Sequence, residues 1–129
     1  IAAFYLESLS EVNSISLPPT DENRIHSWHL FPIRLKLGEL SIDRNEYIDE
    51  LKLNGVGCSV HWRPLHMHPL YRNRLGWREE LFPVATQFWS EIISLPIFSA
   101  MTAEEMDHVV ETVKDLCAAN AVSRISKAA

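Results

Sequence analysis

The run Asp43-Arg44-Asn45-Glu46-Tyr47-Ile48-Asp49-Glu50-Leu51-Lys52-Leu53-Asn54-Gly55-Val56-Gly57-Cys58-Ser59-Val60-His61-Trp62 decides the fold. Asp43 with Glu46 three residues on has the form of a capping box, in which each side chain satisfies a free backbone N–H at a helix start. Tyr47, Ile48 and Leu51 then set an apolar stripe, so the spacing predicts a helix from Ile42 or Asp43 to about Asn54. Asn54-Gly55 supplies the left-handed stop that lets the chain leave that helix. The short branched and apolar run from Val56 to Trp62 reads as a strand. Helix, glycine and strand in this order point to an α/β layer.

Upstream, Ile1 to Leu9 places Ala2, Tyr5, Leu6 and Leu9 on one helical face, and Leu17-Pro18-Pro19-Thr20 forces an extended linker. Ser27 to Leu35, dense in Trp28, Leu30, Phe31 and Ile33, is predicted to be a strand, with Pro32 marking an edge strand or a bulge. Downstream, Arg63 to Leu81 is rich in Pro, His, Arg and aromatic residues without a sustained period, and is expected to be functional or partly folded. Pro83 opens a helix whose residues Val84, Phe88 and Ile92, flanked by Ala85, Trp89 and Ile93, form a broad face expected to be well buried. Ser94-Leu95-Pro96-Ile97 breaks it. Thr102 with Glu105 is a second capping box ahead of Met106, Val109, Val110, Val113 and Cys117, and the polar tail from Ser123 is expected to fray. The expected fold class is therefore α/β (α+β), a small three- to four-stranded sheet covered by helices, forming one domain over residues 1–129.

The 129 residues are 47% hydrophobic and 22% charged, enough for one core without a disulfide or metal. A formal charge of −5 and the lack of a Lys/Arg run exclude a phosphate-tracking surface, so no nucleic-acid partner is expected. No apolar stretch approaches the roughly 20 residues of a membrane span. Cys58 and Cys117 lack the paired spacing of a zinc site and read as two buried thiols in a reducing cytoplasm. A chain that begins at Ile1 and enters helical sequence at once is expected to be a fragment of a longer protein.

The most unusual chemistry lies at His61, His66 and His68, close to Trp62, Arg63 and Tyr71. No carboxylate or thiol stands between His61 and Tyr71 to complete a metal set, so a metal site is the weaker reading. Two others remain open. The histidines either pack and hydrogen-bond within a Pro-fixed loop, or, with Arg63, Arg72, Arg74 and the flat faces of Trp62 and Tyr71, contact an anionic or hydroxylated ligand such as a phosphorylated sugar. Ser59 or Cys58 as a nucleophile served by His61 lacks a third, orienting group. Trp28 reads as core, and His26 and His108 as surface residues. Glu104, Glu105 and Asp107 at a helix start are accounted for by the helix dipole.

The order of motifs resembles the DegT/DnrJ/StrS family of PLP-dependent sugar aminotransferases, in the region C-terminal to their large domain. The residues that carry it are Ser27 to Ile33, Arg44 to Gly57, Ser59 to His66, His68 to Arg72, Phe82 to Ala85, Ile93 to Pro96, and Met101-Thr102 leading into the last helix. The resemblance implies a fold-type I aminotransferase small domain and a cytoplasmic homodimer. It also implies a pyridoxal phosphate cofactor in the full-length enzyme and transfer of an amino group, usually from glutamate, to a nucleotide-linked keto-sugar. It further implies that His61 and Trp62, followed by His66 and Tyr71, are substrate contacts; Trp62 stands where relatives often have tyrosine. The family's Schiff-base lysine lies in the large domain, and Lys36, Lys52, Lys114 and Lys127 do not sit in its context. On that resemblance no catalytic, cofactor-binding or metal-binding residue is expected here, and the chain is expected to be inactive alone. The alternative is a non-enzymatic binding or assembly module reusing the small-domain fold, with Phe4, Trp28 or the loop aromatics left uncovered and favouring dimerisation.

Overall fold

The computed structural model describes residues 1–122; the tail from Ser123, expected to fray, lies outside the described residues. Three strands, β1 (Ile15–Ser16), β2 (Phe31–Leu35) and β3 (Ile92–Leu95), are joined by helices α1 (Ala2–Ser8), α2 (Arg44–Leu53), α3 (Pro69–Leu75), α4 (Pro83–Glu91) and α5 (Ala103–Ala119). The sheet is antiparallel with β2 in the middle, pairing Ile15 with Leu35 on one side and Ile33 with Ile93 on the other. Alternation along β2 buries Phe31, Ile33 and Leu35 completely, while Pro32 and Arg34 take the other face.

The strand begins at Phe31 rather than Ser27, because Trp28 sits at φ 49°, in the left-handed region, and turns the chain just before it extends. Trp28 nevertheless packs partly buried against the core, 5.5 Å from the Phe31 ring. Pro32 lies in the central strand, not in an edge strand or bulge. Its missing N–H leaves no gap toward β3, because both backbone groups of its partner Ser94 turn the other way: Ser94 N donates to Ser59 O at 2.7 Å, and Ser59 N donates to Ser94 O at 3.1 Å. On the opposite side β1 reaches only Arg34 and Leu35.

That pairing with Ser59 is all that forms of the strand expected from Val56 to Trp62. Gly57 brings no side chain to hold a strand face, and only Ser59 meets β3. The fourth helix also departs from expectation. It ends at Glu91, and Ile92 and Ile93, which continue its every-fourth-residue spacing, belong to β3, where all four residues are buried. Pairing with β2 outweighs the local helical pattern. The remaining face of α4 is not buried: Val84 is 77% and Phe88 42% exposed. The segment from Arg63 to Leu81 is partly folded, holding short 3-10 turns at Leu65–Met67 and Glu79–Leu81 on either side of α3.

Both capping boxes form. Asn45 N and Glu46 N donate to Asp43 Oδ1 and Asp43 N to Glu46 Oε2; Glu105 N donates to Thr102 Oγ1 and Thr102 N to Glu105 Oε2. Gly55, at φ 79°, carries the chain out of α2. Tyr47, Ile48 and Leu51 of α2 pack on the apolar stripe of α5, where the buried Tyr47 hydroxyl donates to Val113 O at 3.0 Å and meets Cys117 Sγ at 3.3 Å. Tyr5 from α1 stands edge-on to Phe31, and its hydroxyl donates to Pro96 O at 3.0 Å. Both cysteines are free; Cys117 is buried, whereas Cys58 is only half-buried.

Ile33→Ala removes a fully buried side chain at the centre of the sheet and is expected to cost about 2–5 kcal/mol in denaturant melts. Thr102→Ala, which removes only the cap, should cost about 1 kcal/mol. Burial raises the phenols of Tyr5 and Tyr47 above the ordinary tyrosine value, with Cys117 adding to the rise at Tyr47. The folded chain thus holds these protons where the unfolded chain has lost them. Their contribution to stability is complete below about pH 10 and declines as pH rises above it. Melts across this range should show that decline, and Tyr47→Phe should make it shallower.

Candidate functional site

The Ser59–Ser94 pairing fixes the chain two residues before His61. His61 then turns back on the same partner, with Nδ1 3.0 Å from Ser94 Oγ, and its ring stands edge-on to Trp62 at 4.5 Å. Trp62 is 76% exposed. Together with Pro64 these residues face Val84, Phe88 and Trp89 of α4 across a cleft of about 300 Å³, with Ile92 at its base. The cleft is open and its walls are mostly apolar, so its few polar groups decide what it can hold in one orientation.

Two arginines that do not line the cleft brace its α4 wall. The Arg34 guanidinium lies 4.2 Å from the centre of the Phe88 ring, and its Nε donates to Glu91 Oε2 at 3.0 Å. Arg44, only 8% exposed, lies 4.8 Å from the centre of the Trp89 ring and donates from Nη1 to Ile92 O at 3.5 Å, while its Nε has no partner among the described residues. Burial pulls the Arg44 guanidinium below its ordinary pKa, and the neighbouring Asp43 carboxylate acts in the opposite sense. Over an aromatic face a cation of this kind recovers electrostatically part of what it loses in hydration.

Of the four residues expected to touch a ligand, the structure brings His61 and Trp62 together in the cleft. His66 and Tyr71 do not line it. His66 is 3% exposed and stacked on Phe82 at 4.8 Å. Its Nε2 lies 2.9 Å from Thr86 Oγ1, and because that hydroxyl donates to Glu79 O at 3.2 Å, the imidazole is the donor to Thr86. Tyr71 stacks on Trp77 at 5.5 Å, and Trp77 meets Phe82 edge-on at 5.3 Å. This aromatic row fastens the segment from Arg63 to Leu81 to the start of α4. Sequence reading missed Ser94, Arg34, Arg44, Trp77 and Phe82. Only Arg44, a charge opening an amphipathic helix, left a visible signal.

The described residues contain no group of three His, Cys, Asp or Glu side chains placed for a metal ion. His68 Nε2 turns to Arg63 O at 3.2 Å, away from His61 and His66. A pyridoxal phosphate site would need a lysine held against the cofactor ring. Lys36, Lys52 and Lys114 are exposed and none lines the cleft; Lys52 makes a surface pair with Asp49 at 3.5 Å. Lys127 lies outside the described residues. The described residues therefore do not fit that cofactor. A larger hollow of about 650 Å³ lies under the loop from Pro19 to Trp28, but exposed loop forms its walls, and its cation, Arg24, is engaged by Asp21 at 3.2 Å. Among the described residues no helix is long and apolar enough to cross a membrane.

The sequence model of the DegT/DnrJ/EryC1/StrS aminotransferase family matches residues 1–114. The uncharacterised protein MJ1066 of Methanocaldococcus jannaschii is 37% identical over 120 residues, which are 93% of this chain and 31% of that protein. The dTDP-3-amino-3,6-dideoxy-alpha-D-galactopyranose transaminase of Aneurinibacillus thermoaerophilus is 35% identical over 114 residues, 88% of this chain and 29% of the transaminase. Among solved structures, Spr1654 of Streptococcus pneumoniae in its PMP-form superposes with a TM-score of 0.80 at 28% identity, covering 91% of this chain and 29% of that one. The chain spans about 30% of the length of the curated relatives it matches. With most of its sequence matched and its sheet and helices shared with a solved relative, the chain belongs to the DegT/DnrJ/EryC1/StrS aminotransferase family.

Proposed function

We propose that residues 1–129 form the C-terminal small domain of a longer, cytoplasmic, homodimeric PLP-dependent sugar aminotransferase, and that the domain helps to hold a nucleotide-linked keto-sugar. The observation that carries this reading is the cleft. An imidazole and an exposed indole stand side by side opposite an apolar helix face, a combination suited to a flat or ringed ligand bearing oxygen acceptors. Membership of the family and likeness to a named nucleotide-sugar transaminase over 88% of the chain support it.

In the complete enzyme pyridoxal phosphate, held by the large domain, supplies the amino-group carrier. The work left to this chain is positional. His61 binds an oxygen of the sugar nucleotide, and Trp62 covers a ring and excludes water from it. Tyr71, half-buried in the aromatic row beside the cleft, extends the contact surface, and His66, buried in the same row on Thr86 and Phe82, supports it. The exposed apolar residues of α4 and the neighbouring loop, Val84, Phe88 and Leu81, are the surface that the large domain or the second subunit covers.

His61→Ala in the full-length enzyme is expected to weaken sugar-nucleotide binding about tenfold or more, the usual cost of losing a hydrogen bond to a charged or strongly polar group. Unchanged affinity in a titration calorimeter would remove His61 from the site. The isolated chain, titrated with pyridoxal phosphate, reduced with borohydride and weighed intact, should carry no stoichiometric adduct. A single specific adduct would mean that one of its four lysines performs cofactor chemistry and that the domain assignment is wrong.

A further inference from the structure

We propose that Ser94 is a positioning residue that holds His61 as the Nε2–H tautomer, so that the imidazole offers the cleft a hydrogen-bond donor. Ser94 is 4% exposed, and the one hydrogen-bond partner of its Oγ among the described residues is His61 Nδ1, at 3.0 Å. A buried hydroxyl needs somewhere to send its hydrogen. If Nδ1 carried a proton and donated to Oγ, the hydroxyl hydrogen would be left buried without an acceptor, at a cost of about 1–3 kcal/mol. With the hydroxyl donating and Nδ1 accepting, both groups are satisfied. The neutral ring then carries its proton on Nε2.

Nε2 has no partner among the described residues, and His61 lines the cleft. Ser94 also holds His61 through the main chain, because its N–H and C=O form the paired hydrogen bonds to Ser59 two residues upstream. One residue of β3 thus sets both the place of the loop and the tautomer of its imidazole. An Nε2–H group donates to hydroxyl, carbonyl or phosphate oxygens and has no lone pair for a metal ion, so the tautomer selects oxygen acceptors. The consequence for ligand choice rests on the sugar-nucleotide reading of the cleft; the tautomer itself does not.

The test is long-range ¹H–¹⁵N correlation of the histidine rings in the ¹⁵N-labelled 129-residue chain, at a pH where His61 is neutral. The expected pattern for His61 is a pyrrole-type Nε2 and a pyridine-type Nδ1. Ser94→Ala should shift Nδ1 further downfield as it loses its donor, and Ser94→Thr, which keeps a hydroxyl, should restore the position. A pyrrole-type Nδ1 in the unsubstituted chain overturns the proposal, with no variant needed. So does an Nδ1 resonance that is the same in the unsubstituted chain and in a folded Ser94→Ala variant. Because this signal is read without ligand, it stands or falls separately from sugar-nucleotide binding. If the tautomer is as stated and His61→Ala leaves affinity unchanged, the functional reading fails while the role of Ser94 stands.

Discussion

β3 is paired on both of its edges, and the rest of the molecule is arranged around that constraint. On one side it meets β2 over four residues; on the other, Ser94 exchanges two hydrogen bonds with Ser59. A strand buried at every position has no water to satisfy its backbone, so these pairings are obligatory. They also place the neighbouring elements. α4 runs into β3 without a loop, which sets the helix wall of the cleft, while the Ser59 pairing delivers His61 and Trp62 to the opposite wall. Just beyond β3, Pro96 O receives the Tyr5 hydroxyl and ties α1 to the same strand.

Around this strand, cations and rings do part of the work that aliphatic burial does elsewhere. No residue of α4 is buried. The helix is held by Arg34 on Phe88 and Glu91, by Arg44 under Trp89, and by the contact of Thr86 with His66. Contacts of this kind are directional, whereas apolar burial is not. The helix can therefore be aimed accurately while its outer face stays available to another surface. Arg44 shows the cost, since its Nε is desolvated without a partner among the described residues and is compensated only by the face of Trp89 and the Ile92 carbonyl.

The features legible in the sequence are those that depend on near neighbours. Asp43 with Glu46 and Thr102 with Glu105 close their boxes within one helical turn, and the stripe of Tyr47, Ile48 and Leu51 needs only the helical period to be seen. The alternation in β2 is equally local. Ile92 and Ile93 are not legible as strand, because they keep the spacing of Val84 and Phe88, and the β2 residues that claim them lie some sixty positions away. The Val56 to Trp62 run misleads in the other direction: its composition favours a strand, but a glycine just before it and another within it leave a single point of pairing. In the site, the clustering of His61 and Trp62 is visible, and the family resemblance singles them out. Their opposite wall is hidden because the apolar spacing of α4 marks its face as core. Ser94 is hidden because a serine before Leu-Pro looks like a helix break.

The absence of buried side chains on α4 also sets how the cleft responds to thermal motion. Opening a helix that contributes nothing to the core exposes little apolar area, so its local unfolding free energy lies well below that of β3. The cleft thus has a stiff side, built on doubly paired backbone, and a soft side, built on ring and ion contacts. A ligand seated between them must order the soft side, and its measured affinity will include that conformational entropy. Amide exchange would record the difference as fast exchange along α4 beside protected amides at Ser59 and Ser94. Any surface that covers Val84 and Phe88 would slow exchange in α4 and lower the entropic cost of filling the cleft.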